Sequence, residues 1–319
     1  MDARITKQRL ANLISYDWIK ILCTILAAIL VLVLLFTMAA TRPHSTQQYY
    51  VYAYTDLSAG ADFTDLADDL KAKHVFSYDI LEVSAENFDS SSSGSTVYTV
   101  RRSAGMGNVL FVTDNPAYET DEDGNTVLDE EGKPVVAAQS TLYTMASSGL
   151  VANDASTAGV AYDTVYYMDA CERYLKQFFG DDWRTSDAFD GTLTPEACFT
   201  ARNDGDKRYR TDEARAQGVA DEKARLLQLR TDYLVVDAAF ESGVFTHTAY
   251  ENELGETDYP GINVGGLNTL HDLVYYMDGE TRSTENVNLI LLFNGPLAQN
   301  DLRFESISFL NYLLAQYQN

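Results

Sequence analysis

The sequence predicts an α/β protein in which a single N-terminal transmembrane helix is followed by a domain with mainly parallel sheets. Two observations support this prediction. The first is an uncharged apolar run at residues 21–41, and the second is an alternation of strand and helix patterns from residue 49 onward. Strands that alternate with helices along a chain are typical of parallel sheets joined by right-handed crossovers.

The apolar run at residues 21–41 is long enough to cross a membrane. As a helix that rises about 1.5 Å per residue, it would span a hydrocarbon core of about 30 Å. Positive charge concentrates before the run, which predicts a cytoplasmic tail at residues 1–20 and an extracytoplasmic location for everything after residue 41. The basic residues before the run are Arg4, Lys7, Arg9 and Lys20, whereas only Arg42 follows it before Lys71.

Three alternatives to an uncleaved anchor exist for this run. A secretory signal could be cleaved near Thr37-Met38-Ala39, although such signals usually have a shorter apolar stretch of about 7 to 15 residues. Lipid attachment through Cys23 is disfavoured because this cysteine opens the apolar run instead of closing it. A buried core helix of this length would normally carry a polar stripe. The sequence therefore favours a cell-membrane anchor.

The charge of the chain limits its partners. The net charge is −24, and residues 1–42 hold five of the 23 basic and two of the 47 acidic residues, which leaves 18 basic and 45 acidic residues outside, or −27. A surface this acidic repels nucleic acid and anionic lipid headgroups. No Asn-X-Ser or Asn-X-Thr sequon occurs, which favours a bacterial surface protein. Cys171 and Cys198 could form a disulfide or remain free in that environment.

Strand and helix patterns follow a short polar linker at residues 42–48, which reaches at most about 25 Å. Apolar alternation and β-branched or aromatic residues predict strands, and apolar residues at helical spacing predict helices. In the longest helix, Glu222, Lys223 and Arg225 are expected on a solvated face. The predicted strands are 49–54, 78–83, 109–112 and 287–293, and the predicted helices are 62–73, 96–104, 140–150, 165–179, 211–242, 267–277 and 301–317.

An acidic segment at residues 119–136 contains an internal repeat. TDEDGNTV is followed by LDEEGKPV, with an acidic residue and glycine at the same place in each copy. Asp-Gly between short β-forming stretches predicts a hairpin. The alternative is a calcium loop of EF-hand spacing, with Glu119, Asp121, Asp123 and Glu130 as ligands. The hairpin is favoured because the first ligand position is not Asp and no flanking helices are evident.

Catalytic patterns are sparse, and we expect neither enzymatic activity nor a cofactor. The four histidines stand in no recognised nucleophile, metal or acid–base spacing. His247 and Glu251 could share a helical face, but two ligands do not make a zinc site. The glycine-containing stretch 261–266 lacks the lysine and the preceding strand that a phosphate-binding loop requires. The sequence thus identifies no residues for a hydrolase, which is the most distant of the functions considered.

Three segments in the first half of the domain and one at its end resemble the extracellular solute-binding proteins of ABC importers. The N-terminal segments are YYVYAYTD, YDILEVSAENF and TVYTVRRSAGMGNVLFVTD, and the C-terminal one is FESISFLNYLLAQY after NVNLILLFN. The resemblance, to the second class of periplasmic-binding-protein folds, covers about a third of the domain at residues 49–319. It implies two lobes: one at about 49–116 plus 285–319, the other at about 140–284.

The resemblance implies that a small solute, sugar or peptide-like, binds between the lobes where strands end. Short polar groups beside aromatic rings suit the hydroxyls or amides of such a ligand. A permease would then be a partner. The alternative is an interaction or scaffolding protein of the cell envelope whose cleft is vestigial. The residues that follow the predicted strands, and are therefore expected to bind ligand, are Tyr54, Thr55, Asp56, Asp114, Asn115 and Asn294.

Overall fold

The structure is a computed structural model that describes residues 7–39, 43–88, 92–147, 149–153, 160–252, 254–295, 297 and 302–318. Contacts divide the chain into two units, Met1–Pro43 and His44–Asn319. The boundary falls within the polar linker that the sequence predicts between the apolar helix and the domain.

The first unit contains one long helix, α1, at Lys7–Ala39. Its segment Trp18–Leu35 has a mean hydropathy of 2.8 and is long and apolar enough to cross a membrane. None of this segment is buried. The apolar side chains of a core helix would be covered, whereas those of this helix are exposed. The helix is therefore consistent with a membrane anchor or a signal sequence.

The second unit is built on a mixed six-stranded sheet with the strand order β3-β1-β4-β13-β10-β9. β1 pairs in parallel with β3 and β4, as the sequence predicts, whereas β13 runs antiparallel to β4 and β10 runs antiparallel to both β13 and β9. Two of the five strand pairings in this sheet are therefore parallel. Its strands are β1 Gln48–Ala53, β3 Glu82–Asn87, β4 Val109–Thr113, β9 Thr246–Glu251, β10 Thr257–Asn263 and β13 Val287–Leu291.

The side chains of a strand point alternately to opposite faces of a sheet. Both faces of this sheet carry apolar side chains, and helices cover both of them. Tyr49, Val51 and Ala53 of β1 face one core, and Tyr50 and Tyr52 face the other. The larger core lies under α2 Leu66–Ala72, α5 Thr164–Phe179, α7 Asp212–Glu241 and α8 Glu305–Tyr317, and the smaller core lies under α3 Ser92–Ser103 and α4 Thr141–Ala146.

The structure does not confirm a division of the domain into two lobes. β9 and β10 belong to the segment predicted as the second lobe, yet they extend the sheet formed by strands of the first. The remaining strands form small sheets: β2 Ser58–Ala59, β11 Val274–Asp278 and β12 Thr281–Ser283 in one, β5 Ala117–Tyr118 and β6 Val136–Ala138 in a second, and β7 Leu150–Val151 and β8 Ala161–Tyr162 in a third.

Several elements differ from the sequence prediction, which also lacks the strands β9 and β10. The helix expected at 267–277 is wrong, because Val274–Asp278 forms β11, which pairs with β12 and β2 after a short 3-10 turn at Leu270–Asp272. The second strand, β3, begins at Glu82 and not at residue 78. The sequence prediction also lacks the helix α6 at Pro195–Arg202. Its start has clear local signals, because Thr194 caps the first turn and Pro195 is the first helical residue.

The prediction that Glu222 and Arg225 lie on a solvated face of α7 is also wrong. Both belong to a buried ionic network whose five inner side chains, Asp79, Arg202, Glu222, Arg225 and Glu305, are at most 5% exposed. Arg202 Nε lies 2.8 Å from Asp79 Oδ2, and its Nη2 contacts Glu222. Arg225 Nη2 lies 2.8 Å from Glu222 Oε1, and its Nη1 lies 3.8 Å from Glu305 Oε1. The network joins the segment before β3 to α6, α7 and α8.

Neither Cys171 nor Cys198 is in a disulfide. Cys171 is buried in α5, and Cys198 is half-buried in α6. Burial raises the pKa of the Cys171 thiol well above its usual value, which keeps it protonated and unreactive.

We expect Arg202→Met to lower the free energy of unfolding by about 3–5 kcal/mol, because it removes a buried positive charge that contacts two buried carboxylates. Asp79 then keeps only Arg208 as a charged partner, and Glu222 keeps only Arg225. Arg184→Met is the matched control, since the Arg184 side chain is 45% exposed and pairs with Asp237 at 2.7 Å. That exposed pair is worth less than about 1 kcal/mol. Denaturant titrations of the three proteins measure the difference, and equal losses for the two variants would contradict a buried network.

Candidate functional site

The parallel part of the sheet contains a topological switch point between β1 and β4. The chain passes from β1 through α2 to β3 on one side, and then through α3 to β4 on the other side of β1. The two crossovers therefore leave in opposite directions. In open α/β sheets, ligands bind in the crevice that such a switch creates outside the carboxyl ends of the strands. This edge is the candidate site.

Tyr54, Thr55 and Asp56 form the turn that follows β1 at this edge. The Tyr54 carbonyl accepts a hydrogen bond from the amide of Leu57 at 3.0 Å, which closes the turn. Asp56 Oδ2 accepts from the backbone amide of Thr113 at 2.8 Å and from its hydroxyl at 2.7 Å. The carboxylate thus joins the end of β1 to the end of β4. Its second oxygen, Oδ1, is buried and has no partner among the described residues.

Asp114 follows β4 and is held by residues from distant parts of the chain. Its carboxylate accepts a hydrogen bond from the hydroxyl of Tyr250, which also lies 3.0 Å from Ser140 Oγ. Ser140 caps α4 by accepting from the amide of Tyr143. Burial and the bond to Asp114 raise the pKa of Tyr250, so this phenol remains a donor. Asp114, β9 and α4 are therefore joined at one point.

A pocket of about 200 Å³ opens beside Tyr250, between α4, β9 and β10. The rings of Tyr143 and Tyr250 meet edge to face, with centroids 5.3 Å apart. Asn252, Asp258 and other polar groups complete its wall. Aromatic faces beside amide and carboxylate groups can pack against the carbon skeleton of a polar ligand and bond its hydroxyls or amides.

Tyr54 adds a further aromatic ring at the carboxyl edge. Its ring lies edge to face with Tyr98 of α3, at a centroid distance of 5.3 Å. Burial raises the pKa of the Tyr54 phenol, and the neighbouring Asp56 carboxylate raises it further. The hydroxyl therefore stays neutral and able to donate a hydrogen bond near neutral pH.

The structure brings five of the six expected ligand-binding residues to one edge and separates the sixth. Asn115 lies with the others, and its Oδ1 accepts from Asn286 Nδ2 at 2.7 Å. Asn294 follows β13, which runs antiparallel to β4, so that it lies past Val109 at the opposite, amino edge. There it lines a cavity of about 10 Å³ with Asn108, which has room for no more than about one water molecule.

Tyr250, Ser140 and Tyr143 are site residues that sequence reasoning missed. The signal for Tyr250 was the β-forming stretch THTAYE, which contains Thr and Tyr at alternate positions and forms β9. The spacing of His247 and Glu251 suggested instead that these two residues share one face of a helix. His247 lies in β9, where its Nδ1 is 2.8 Å from Thr164 Oγ1 and its ring stacks on Phe240 at 4.2 Å.

The acidic repeat forms two equivalent turns. Asp121 Oδ1 accepts from the amides of Asp123 and Asn125, and Asp129 Oδ1 accepts from those of Glu131 and Lys133 in the same way. Gly124 and Gly132 follow with φ of 82° and 80°. Across the described part of the chain, no group of three or more His, Cys, Asp or Glu residues could hold a metal ion. The repeat therefore has the hairpin geometry and not that of a calcium loop.

No family model matches this chain, and neither a curated protein nor a solved structure matches it.

We expect Tyr250→Phe to lower the free energy of unfolding by about 1.5–3 kcal/mol, because it removes a hydrogen bond to the charged Asp114 carboxylate. Tyr118→Phe is the control, since the Tyr118 side chain is 45% exposed and the same hydroxyl is lost. Its effect should stay within about 0.5 kcal/mol. Chemical denaturation measures both, and an unchanged stability of Tyr250→Phe would contradict the linkage between β9 and Asp114.

Proposed function

We propose that this protein is a single-pass, membrane-anchored extracytoplasmic binding protein without enzymatic activity, which captures a small sugar or peptide-like solute. The observation that carries the proposal is the switch point between β1 and β4, with Asp56 and Asp114 at its edge. Tyr250, which bonds Asp114, also lines the neighbouring pocket. In this proposal the solute binds between this edge and the pocket that Tyr250 lines, and a permease is the partner that would take it onward.

The membrane anchor is supported by the length and exposure of Trp18–Leu35 in α1. The basic residues before this segment favour a cytoplasmic N-terminus and an extracytoplasmic domain. A charge of −27 on the exterior part favours its solubility close to the membrane surface. An anchored domain of this kind would hold its ligand next to a membrane partner.

A second function, an interaction or scaffolding role in the cell envelope, is favoured by one observation. The strands that the sequence assigned to two lobes form one sheet, whereas solute-binding proteins of the resembled class hold their ligand between lobes. Under this alternative, the carboxyl edge is a structural joint and binds no solute.

The ligand prediction is tested by thermal unfolding of the full chain in lipid nanodiscs against panels of sugars, peptides and amino acids. A ligand at one hundred times its Kd should stabilise the protein by about 2.7 kcal/mol. Asp114→Asn should reduce the ligand-induced shift, because the carboxylate and its Tyr250 partner lie beside the pocket. Glu241→Gln, an exposed carboxylate at the end of α7, is the control. Absence of any shift across the panels would favour the envelope interaction role.

The anchor prediction is tested by carbonate extraction of membranes from expressing cells. The full-length chain should stay in the membrane pellet, and Leu30→Arg with Val31→Arg should release it, since each charge costs about 2.5–3.5 kcal/mol at a helix centre. Leu81→Arg with Val100→Arg, two exposed positions in the domain, should leave the protein in the pellet. Recovery of a shortened wild-type chain in the soluble fraction would indicate a cleaved signal instead.

A further inference from the structure

A second pocket, of about 240 Å³, lies at the amino edge of the sheet, on the opposite side from the switch point. Its walls are residues 74–78, which precede β3, one face of α7 and the start of α8. The amide of Leu81 donates to the carbonyl of Gln47 immediately before β1, which places this segment at the amino edge. The pocket therefore shares no strand end with the candidate site.

A buried carboxylate with one available oxygen faces this pocket. Glu305 is 5% exposed, and its Oε2 accepts a hydrogen bond from the amide of Ser77 at 2.9 Å. Its Oε1 lies 3.8 Å from Arg225 Nη1, which is beyond hydrogen-bond distance. Ser77 Oγ lines the same pocket and is buried with no hydrogen-bond partner among the described residues. Glu305 Oε1 and Ser77 Oγ are thus the two acceptor atoms that a donor in this pocket would approach.

The charges around the pocket favour a cation. The guanidinium of Arg225 is already bonded to Glu222 through Nε and Nη2, so Glu222 compensates its charge. The ionic network holds the acids Asp79, Asp206, Glu222 and Glu305 against the bases Arg202, Arg208 and Arg225. Asp221 adds another carboxylate to the wall of the pocket. An anion bound here would be repelled by the carboxylates of Glu305 and Asp221, whereas a cation would balance their negative charge.

The other wall of the pocket is apolar. Val75, Phe76 and Leu229 line it. A pocket of about 240 Å³ exceeds the cavity of about 150 Å³ that holds benzene in an engineered protein. It therefore has room for a short alkyl chain as well as a charged group.

We propose that this pocket binds a small organic cation that carries a primary ammonium group on a short alkyl chain. The ammonium donates to Glu305 Oε1 and Ser77 Oγ, and the alkyl chain packs against Phe76 and Leu229. Asp221, which lines the same pocket, attracts the cation. The strongly acidic domain raises the local concentration of cations around the pocket.

This proposal is independent of the solute proposed for the carboxyl edge, because the two pockets share no lining residue. A ligand of the carboxyl edge should be displaced by neither n-butylammonium nor its analogues. Failure of one proposal therefore leaves the other in place.

Isothermal titration calorimetry of the full chain in nanodiscs of neutral lipid tests the proposal with n-butylammonium as the probe. Saturable binding of one n-butylammonium per chain is expected, with 1-butanol and butyrate binding at least about tenfold more weakly, because charge-assisted hydrogen bonds are the stronger ones. Glu305→Gln should weaken n-butylammonium binding by at least about tenfold, and Asp221→Asn should weaken it by a smaller factor. Glu241→Gln removes a carboxylate from the far end of α7 and should change nothing.

Several outcomes would overturn the proposal. Equal binding of 1-butanol and n-butylammonium would make the pocket merely apolar, and tighter binding of butyrate would make it an anion site. Unchanged affinity in Glu305→Gln would also reject it. If Glu305→Gln fails to fold, Asp221→Asn decides the matter, since Asp221 lines the pocket but has no ion pair in the buried network. Unchanged affinity in this variant would then reject the proposal.

Discussion

The buried ionic network is the interaction on which the arrangement of the domain depends. It fixes α6, α7 and α8 to the segment before β3, because its ion pairs join charged side chains from all four of these parts of the chain. Burial alone would raise the pKa of the Glu222 carboxyl, but Arg225 and Arg202 hold it at about 2. Removing one partner from a buried ionic network costs several kcal/mol of stability, and the network forms only when its side chains are in close contact. It therefore specifies how the long α7 lies across the sheet, and through α7 it positions the larger core.

The two edges of the sheet have different chemistry because of how the strands run. Three parallel strands bring the turn after β1 and the end of β4 to the carboxyl edge, where Asp56 and Asp114 are held by hydrogen bonds from Thr113 and Tyr250. At the amino edge, the ionic network leaves the carboxylate of Glu305 facing a pocket. The first arrangement suits a ligand rich in hydroxyl or amide groups, and the second suits a positive charge. One sheet thus carries two candidate sites that differ in the charge of the ligand proposed for each.

Local patterns in the sequence were enough to predict β1, α2, α3, β4, α5, α7 and α8, because each has a clear apolar period and several have a capping residue. Thr211 caps α7, and Gly243 follows it with a φ of 78°. The parallel pairing of the first three strands followed from the helices between them. The helix expected at 267–277 failed, because β11 pairs with β12 across the turn at Gly279 and with β2 more than 200 positions away. The turn was a local hairpin signal, whereas the contact with β2 left no local periodic signal.

The sequence by itself determined the apolar N-terminal helix, the acidic character of the domain, and five polar or aromatic residues that follow strands at one edge. These features depend on composition and local period. Only the tertiary structure decided that β13 runs antiparallel, which moves Asn294 to the far edge, and that Glu222 and Arg225 are buried. The direction of a strand and the burial of a charge depend on partners from remote segments. A charged face of a helix has the same sequence pattern whether it meets water or an opposite charge.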